Sequence, residues 1–109
     1  MEIKTPRQFF EDELPKRFRA DKSAGVDVIV QLTIEGPNGG SWTVIIRDQK
    51  MMVEEGTYNS PSLSVKMSEK DYLDVVNDKI SGEKAFMTGK IHFKGSITLA
   101  LKLKDMGFL

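Results

Sequence analysis

Leu63-Ser64-Val65-Lys66-Met67-Ser68-Glu69-Lys70-Asp71-Tyr72 opens the stretch whose reading decides the fold. Lys84-Ala85-Phe86-Met87-Thr88-Gly89-Lys90-Ile91-His92-Phe93-Lys94-Gly95 continues it, and Leu99-Ala100-Leu101-Lys102-Leu103 closes it. The pattern reads as strand, capped helix, short helix, strand, glycine turn and final helix. That last helix is apolar on more than one side, so it needs covering by the protein on one side and by something else on another.

Each piece has a local cause. Leu63, Val65 and Met67 alternate with polar residues, which is the period of a half-buried strand. Ser68 is placed to cap the next helix, with Asp71 at its third position in an approximate capping box. Met67 and Tyr72 flank the cap as a hydrophobic staple would require. Tyr72, Leu73, Val75, Val76 and Ile80 supply that helix's apolar face. Ser81 caps a second, short helix carrying Ala85, Phe86 and Met87, and Gly89 stops it. Lys90 to Lys94 alternate again, with Ile91 and Phe93 inward, before Gly95-Ser96 turns the chain into its final helix.

Working outward, Val26, Val28, Val30, Leu32 and Ile34 form the dominant face of a first strand. The turn-rich run Glu35 to Gly40 leads to a second, with Trp42, Val44 and Ile46 on one face. Asp48-Gln49-Lys50 predicts a tight hairpin into Met51-Met52-Val53. At the N-terminal end, Thr5-Pro6 is a helix start, Phe9, Phe10 and Leu14 follow at helical spacing, and Pro15 is expected to end the helix. Phe18 anchors a further turn, and residues 19–25 form a polar link. The short links favour an α+β fold, a largely antiparallel meander with helices gathered on one side.

Composition narrows the function classes. The chain of 109 residues is expected to be one domain spanning 1–109, with no internal repeat. It has no cysteine, which excludes disulfides, thiolate metal sites and thiol nucleophiles and suits a cytoplasmic protein. Sixteen basic and sixteen acidic residues cancel, leaving no electrostatic footprint for nucleic acid. The cancellation is uneven: between Glu83 and Asp105 there are five lysines (84, 90, 94, 102 and 104) and no acid. They read either as a basic rim for an anionic headgroup or membrane surface, or as solvated side chains. No apolar run reaches membrane-spanning length, and Met1-Glu2-Ile3-Lys4 does not read as a signal peptide. Met106-Gly107-Phe108-Leu109 is not a peroxisomal address.

Catalytic chemistry finds little support. His92 is the single histidine, on the polar face of a strand, without an evident orienting partner or nucleophile. One histidine and no cysteine disfavour zinc or copper, so no metal and no cofactor are expected. Gly36-Pro37-Asn38-Gly39-Gly40 lacks the lysine and helix of a phosphate loop.

The quoted stretch, taken in order and spacing, resembles the signature half of the sterol carrier protein-2 (SCP-2) domain. Gly36-Pro37-Asn38-Gly39-Gly40-Ser41-Trp42 and Ile46-Arg47-Asp48 are similar to its prokaryotic members, so the resemblance covers roughly residues 26–104. It implies a five-stranded, mainly antiparallel sheet covered by helices, with an apolar tunnel between them. It implies a lipid or fatty acyl ligand (fatty acid, fatty acyl-CoA or a sterol-like lipid) and no catalytic residues. Carried onto this sequence, the tunnel wall is Phe86 and Met87, then Ile97, Leu99, Ala100, Leu101 and Leu103, with Trp42 and Val44 from the sheet. The final helix would be a lid, Gly95 its hinge, and a membrane contact through the nearby lysines the point of release.

The physics suits that reading. Burying an acyl chain gains about 0.8 kcal/mol per methylene. Six methionines, among them Met51, Met52, Met67 and Met87, offer adaptable walls. Residues of these types also build ordinary core, which remains the expectation for Phe9, Phe10 and Tyr72. Three readings therefore stand: an intracellular lipid carrier, a non-catalytic interaction or substrate-presenting module for a partner enzyme, and an enzyme centred on His92.

Overall fold

The computed structural model describes residues 2–105. Five strands form one mixed sheet in the order β3-β2-β1-β4-β5: β1 Val28–Glu35, β2 Gly40–Arg47, β3 Lys50–Glu55, β4 Leu63–Ser68 and β5 His92–Gly95. Three of the four pairings are antiparallel, as expected. The simple meander is corrected at one joint, because β4 runs parallel to β1, with Val30 opposite Leu63 and Ile34 opposite Met67.

The connection between β3 and β4 explains that joint. It must cross β2 and β1, about 14 Å at the usual strand spacing, which seven residues span comfortably. It is tied down along the way. Gly56 N–H donates to Ser41 O at 2.8 Å, and Ser62 N–H donates to Ile29 O at 2.8 Å. Between these points, Gln31 accepts from Tyr58 N–H at 2.7 Å and donates to Trp42 O and Gly56 O, each at 3.3 Å. Thr43 Oγ1 donates to the same Gly56 carbonyl at 2.9 Å. Gln31 and Thr43 are buried as a result, although they lie on the polar face of their strands. Every polar atom of the Gln31 amide group has a partner, as burial demands.

The other sheet face carries the core. Val28, Val30, Leu32 and Ile34 from β1, Trp42, Val44 and Ile46 from β2, and Leu63, Val65 and Met67 from β4 are all buried. Against them pack Phe9, Phe10 and Leu14 from the N-terminal helical stretch and Tyr72, Val75 and Val76 from α3, Glu69–Val76. An aromatic stack fixes that layer: Phe10 lies between Trp42 at 5.0 Å and Tyr72 at 5.6 Å, and Phe9 meets Tyr72 edge-on at 5.6 Å. Neither Trp42 Nε1 nor Tyr72 Oη, both buried, has a hydrogen-bond partner among the described residues.

Pro15 does not end the first helix. The stretch starts at Pro6–Gln8 (α1), with Thr5 Oγ1 accepting from Gln8 N–H at 3.1 Å. It widens into a π turn at Phe9–Glu13 and continues as α2, Leu14–Arg17. Leu14 N–H reaches back to the Phe9 carbonyl, a five-residue step. The wider turn relieves the crowding that a proline ring imposes on the preceding turn. The helix after Ser68 is shorter than its apolar pattern, ending at Val76 before the half-buried Ile80. Asp78 takes the left-handed position at that end with φ 61°, and Asp78 and Lys79 donate to Val75 O and Asp74 O. Asn77 then clasps the N-terminal segment, accepting from Ile3 N–H at 2.7 Å and donating to Ile3 O at 2.8 Å.

Candidate functional site: an apolar surface on the final two helices

Three consecutive elements, α4 (Gly82–Met87), β5 and α5 (Ile97–Asp105), carry the exposed apolar residues of this part of the chain. In α4, Gly82–Met87, Ser81 Oγ accepts from Lys84 N–H at 3.1 Å and fixes the first turn. The far end closes with Gly89 at φ +78°: Gly89 N–H donates to Phe86 O and Lys90 N–H to Ala85 O. This phasing buries Ala85 completely and leaves Phe86 and Met87 outward, 44% and 82% exposed. β5 follows as an edge strand, with Phe93 opposite Val65 on the core side and His92 and Lys94 on the other face. Phe86 stacks on Phe93 with ring centroids 4.9 Å apart and locks α4 to β5.

The turn into α5, Ile97–Asp105, admits only a small residue. Gly95 has φ +129°, and a Cβ there would lie 2.8 Å from Ser62 O. Ser96 caps the helix, its Oγ accepting from Leu99 N–H at 3.3 Å. Leu99 and Ala100 are half-buried against the core, whereas Leu101 is 55% exposed. Among the described side chains of α5, Leu99 and Ala100 thus face the core, and the exposed side carries Leu101 together with Thr98 and Lys102.

The expected wall residues divide into three groups. Phe86, Met87 and Leu101 lie at the surface, Leu99 and Ala100 beneath it, and Trp42 and Val44 are fully within the core. The side chains of Ile97 and Leu103 lie outside the described residues. Phe93 joins the group as the partner of Phe86; the alternation of Ile91 and Phe93 had pointed it inward. Open clefts occur elsewhere among the described residues, and two of them have several apolar lining residues. One, of about 650 Å³, lies between Ile3, Pro37, Leu73 and Asn77. The other, of about 390 Å³, lies between Phe10, Pro15, Trp42, Met51 and Val53. Neither is an enclosed channel.

Lys84, Lys94 and Lys102 are exposed and pair with no carboxylate among the described residues, while Lys90 lies 3.8 Å from Asp71. His92 is exposed on the opposite sheet face, aligned with Lys66 of β4. Among the described residues, no group of three or more histidine, aspartate or glutamate side chains could hold a metal ion. No helix among them is long and apolar enough to cross a membrane.

Residues 11–106 match the SCP-2 sterol transfer family. The chain is 26% identical over 99 residues to non-specific lipid-transfer protein-like 1 of Caenorhabditis elegans, covering 87% of this chain and 84% of that protein. The stereoselective inverting sec-alkylsulfatase Pisa1 from Pseudomonas sp. contains the same fold, with a TM-score of 0.76 and 23% identity. That match covers 97% of this chain but only 16% of the sulfatase. The solution structure of palmitated SCP2L2 from Aedes aegypti matches with a TM-score of 0.59 and 25% identity, over 84% of this chain and 88% of that one. With a matching family profile across most of its length and the five-stranded sheet in place, the chain belongs to the SCP-2 sterol transfer family.

Proposed function

We propose that the protein is a lipid carrier that reversibly buries an apolar chain against α4, β5 and α5 and performs no bond chemistry. The observation that carries this reading is that α5 sets apolar side chains at two depths. Leu99 and Ala100 already pack on the core, while Leu101 projects outward near the sequence positions of Phe86 and Met87. A ligand tail entering beneath α5 would meet Leu99 and Ala100 first, and the proposed wall is completed by Phe86 and Met87 of α4, by positions 97 and 103, and by Leu101 where α5 shifts to admit the tail. It would reach Trp42 and Val44 only by displacing part of the aromatic layer. Ten buried methylenes would contribute about 8 kcal/mol, the scale of a micromolar complex, before the cost of moving α5.

The ligand class proposed is a fatty acid or fatty acyl ester, with fatty acyl-CoA and sterol-like lipids as the alternatives. Membership of the family and the palmitated Aedes aegypti relative support it. Native mass spectrometry of freshly purified protein, followed by organic extraction, tests it directly. A retained lipid, or displacement of a fluorescent fatty acid by palmitate, is the expected result. A clean apo mass with no binding of the fluorescent fatty acid overturns it.

A second reading has its own support. The same fold occupies 16% of the Pisa1 chain, so a domain of this shape also occurs within an enzyme. As a substrate-presenting module, the protein would hold an apolar substrate for a separate catalytic partner. Stable co-purification with an enzyme, together with lipid binding that is weak in isolation, would favour this reading.

A further inference from the structure

β3 is one edge of the sheet, and among the described residues no strand pairs with its outer side. Two observations fix its hydrogen-bonding phase. Asp48 and Gln49 close a two-residue hairpin with positive φ at both positions, so Arg47 and Lys50 form its first hydrogen-bonded pair. At the other end, Gly56 N–H donates to Ser41 O, which continues the same alternation. Residues 50, 52 and 54 therefore direct their backbone groups toward β2. Met51, Val53 and Glu55 direct theirs to the open edge.

We propose that this edge pairs with β3 of a second copy of the chain, antiparallel about a two-fold axis at Met52, joining the two five-stranded sheets into one. Such a pair must match residues that share a sheet face, and must use 51 and 53 as its hydrogen-bonded positions. Met51 opposite Val53 of the second copy does both. That register sets Met52 opposite its own counterpart at the axis and Lys50 opposite Glu54 on either side of it. Lys50 and Glu54 are exposed and have no ion-pair partner among the described residues, whereas Glu55, on the core face, is already bridged by Arg7 at 2.7 Å. Met52 is 56% exposed, and pairing covers it while extending the apolar stripe that half-buried Ile45 of β2 begins.

Charge complementarity selects both the occupant and the register. A slip of two residues sets Glu54 against Met52 and leaves Lys50 opposite Gly56, so both ion pairs are lost. The other edge strand, β5, carries His92 and Lys94 on one face and no carboxylate, so it has no such match with a copy of itself. On the core face, Met51 and Val53 border the cleft of about 390 Å³ that also includes Phe10, Pro15 and Trp42. In the pair, each cleft gains an apolar neighbour from the second copy at that border.

Sedimentation velocity of the full chain, from low concentration to millimolar, tests the pairing. Wild type is expected to show a monomer–dimer equilibrium. Lys50→Glu places like charges opposite each other twice, once on each side of the axis, and is expected to raise the dimer dissociation constant at least about tenfold. Combining Lys50→Glu with Glu54→Lys restores opposite charges and is expected to recover the dimer. The chain has no cysteine of its own, so single cysteines report the register. Met52→Cys brings two Cα atoms to about 4.5 Å across a non-hydrogen-bonded pair, within disulfide reach, and is expected to cross-link under mild oxidation. Glu54→Cys, separated from its counterpart along the strand, is expected not to. Four results overturn the inference: a monomer at every concentration, a dimer unmoved by Lys50→Glu, a charge swap that fails to restore it, or cross-linking no better at Met52→Cys than at Glu54→Cys.

Discussion

Leu101→Asp separates a ligand wall from ordinary packing. Leu101 is 55% exposed, so roughly half of the 1.5–3 kcal/mol available from burying a leucine is at stake, about 1 kcal/mol. The lower helix propensity of aspartate adds about 0.5 kcal/mol. A domain of this size loses roughly 4–8 °C of Tm per kcal/mol, so the unliganded variant should melt about 6–12 °C below wild type. Binding should suffer more. A carboxylate pressed against an acyl chain without a partner costs about 2 kcal/mol or more, which weakens Kd by about thirtyfold. The assay pairs thermal unfolding of the apo protein with displacement of a fluorescent fatty acid, measured well below both melting temperatures. An unchanged Kd with the expected Tm loss would remove Leu101 from the wall. A Tm loss far above that range would show that it is core, and the exposure argument behind the site would fail.

Other substitutions probe the frame that holds the site. Asp78→Gly should raise stability by about 0.5–1 kcal/mol in chemical denaturation, because position 78 has φ 61° at a helix end where glycine is unstrained. Gln31→Leu should cost about 2–3 kcal/mol and accelerate amide exchange at Tyr58, whose N–H would lose its 2.7 Å acceptor. Tyr72→Phe should be neutral or stabilising by urea titration at neutral pH, since the buried hydroxyl makes no hydrogen bond among the described residues. Burial raises the Tyr72 pKa well above its ordinary value of 10.0. The unfolded chain therefore releases this proton first, and wild type should lose stability as pH rises past about 10. Tyr72→Phe should flatten that alkaline loss, and an unchanged slope would contradict the assignment.

Much of the fold was legible because local chemistry and burial agree. Ser68 and Ser81 cap the helices they were expected to cap, and the alternations in β1, β2 and β4 mark their buried faces. Asp48 and Gln49, at φ 54° and 61°, make the tight turn read between β2 and β3. The parallel β1–β4 pairing was not legible. Seven residues can close a hairpin or cross two strands, and the choice depends on Gln31 and Thr43 meeting the loop from the far sheet face. Pro15 misled for a related reason: the π turn that accommodates it depends on packing Phe9 and Phe10 together. At the site, spacing identified α4 and α5 but did not establish depth. Trp42 and Val44 share the apolar character of Phe86 and Met87, and only the tertiary layers separate core from surface.

That separation also bears on how a tail could enter. On the N-terminal side of the core, Phe9, Phe10, Tyr72 and Trp42 pack ring against ring, face-on or edge-on, at 5.0–5.6 Å, and Arg7 lies over the indole while bridging Glu11 and Glu55. Opening that layer would break several aromatic contacts worth about 0.5–1.5 kcal/mol each beyond their buried area. Around α5, by contrast, Leu99 and Ala100 are only half-buried, and lifting them exposes little additional apolar surface. A ligand that replaced their contacts with its own methylenes would offset that loss. The lower-cost route into the apolar layers therefore runs beneath α5. Gly95 lies at the start of that route, but its backbone is wedged against Ser62, which favours motion beginning at Ser96 and within the helix rather than at the glycine itself. Gly95→Ala should consequently damage folding before it alters exchange kinetics. Ser96→Ala, by removing the cap of α5, should speed release of a fluorescent fatty acid while costing only about 1 kcal/mol of stability. Unchanged release kinetics in Ser96→Ala would place the entrance elsewhere.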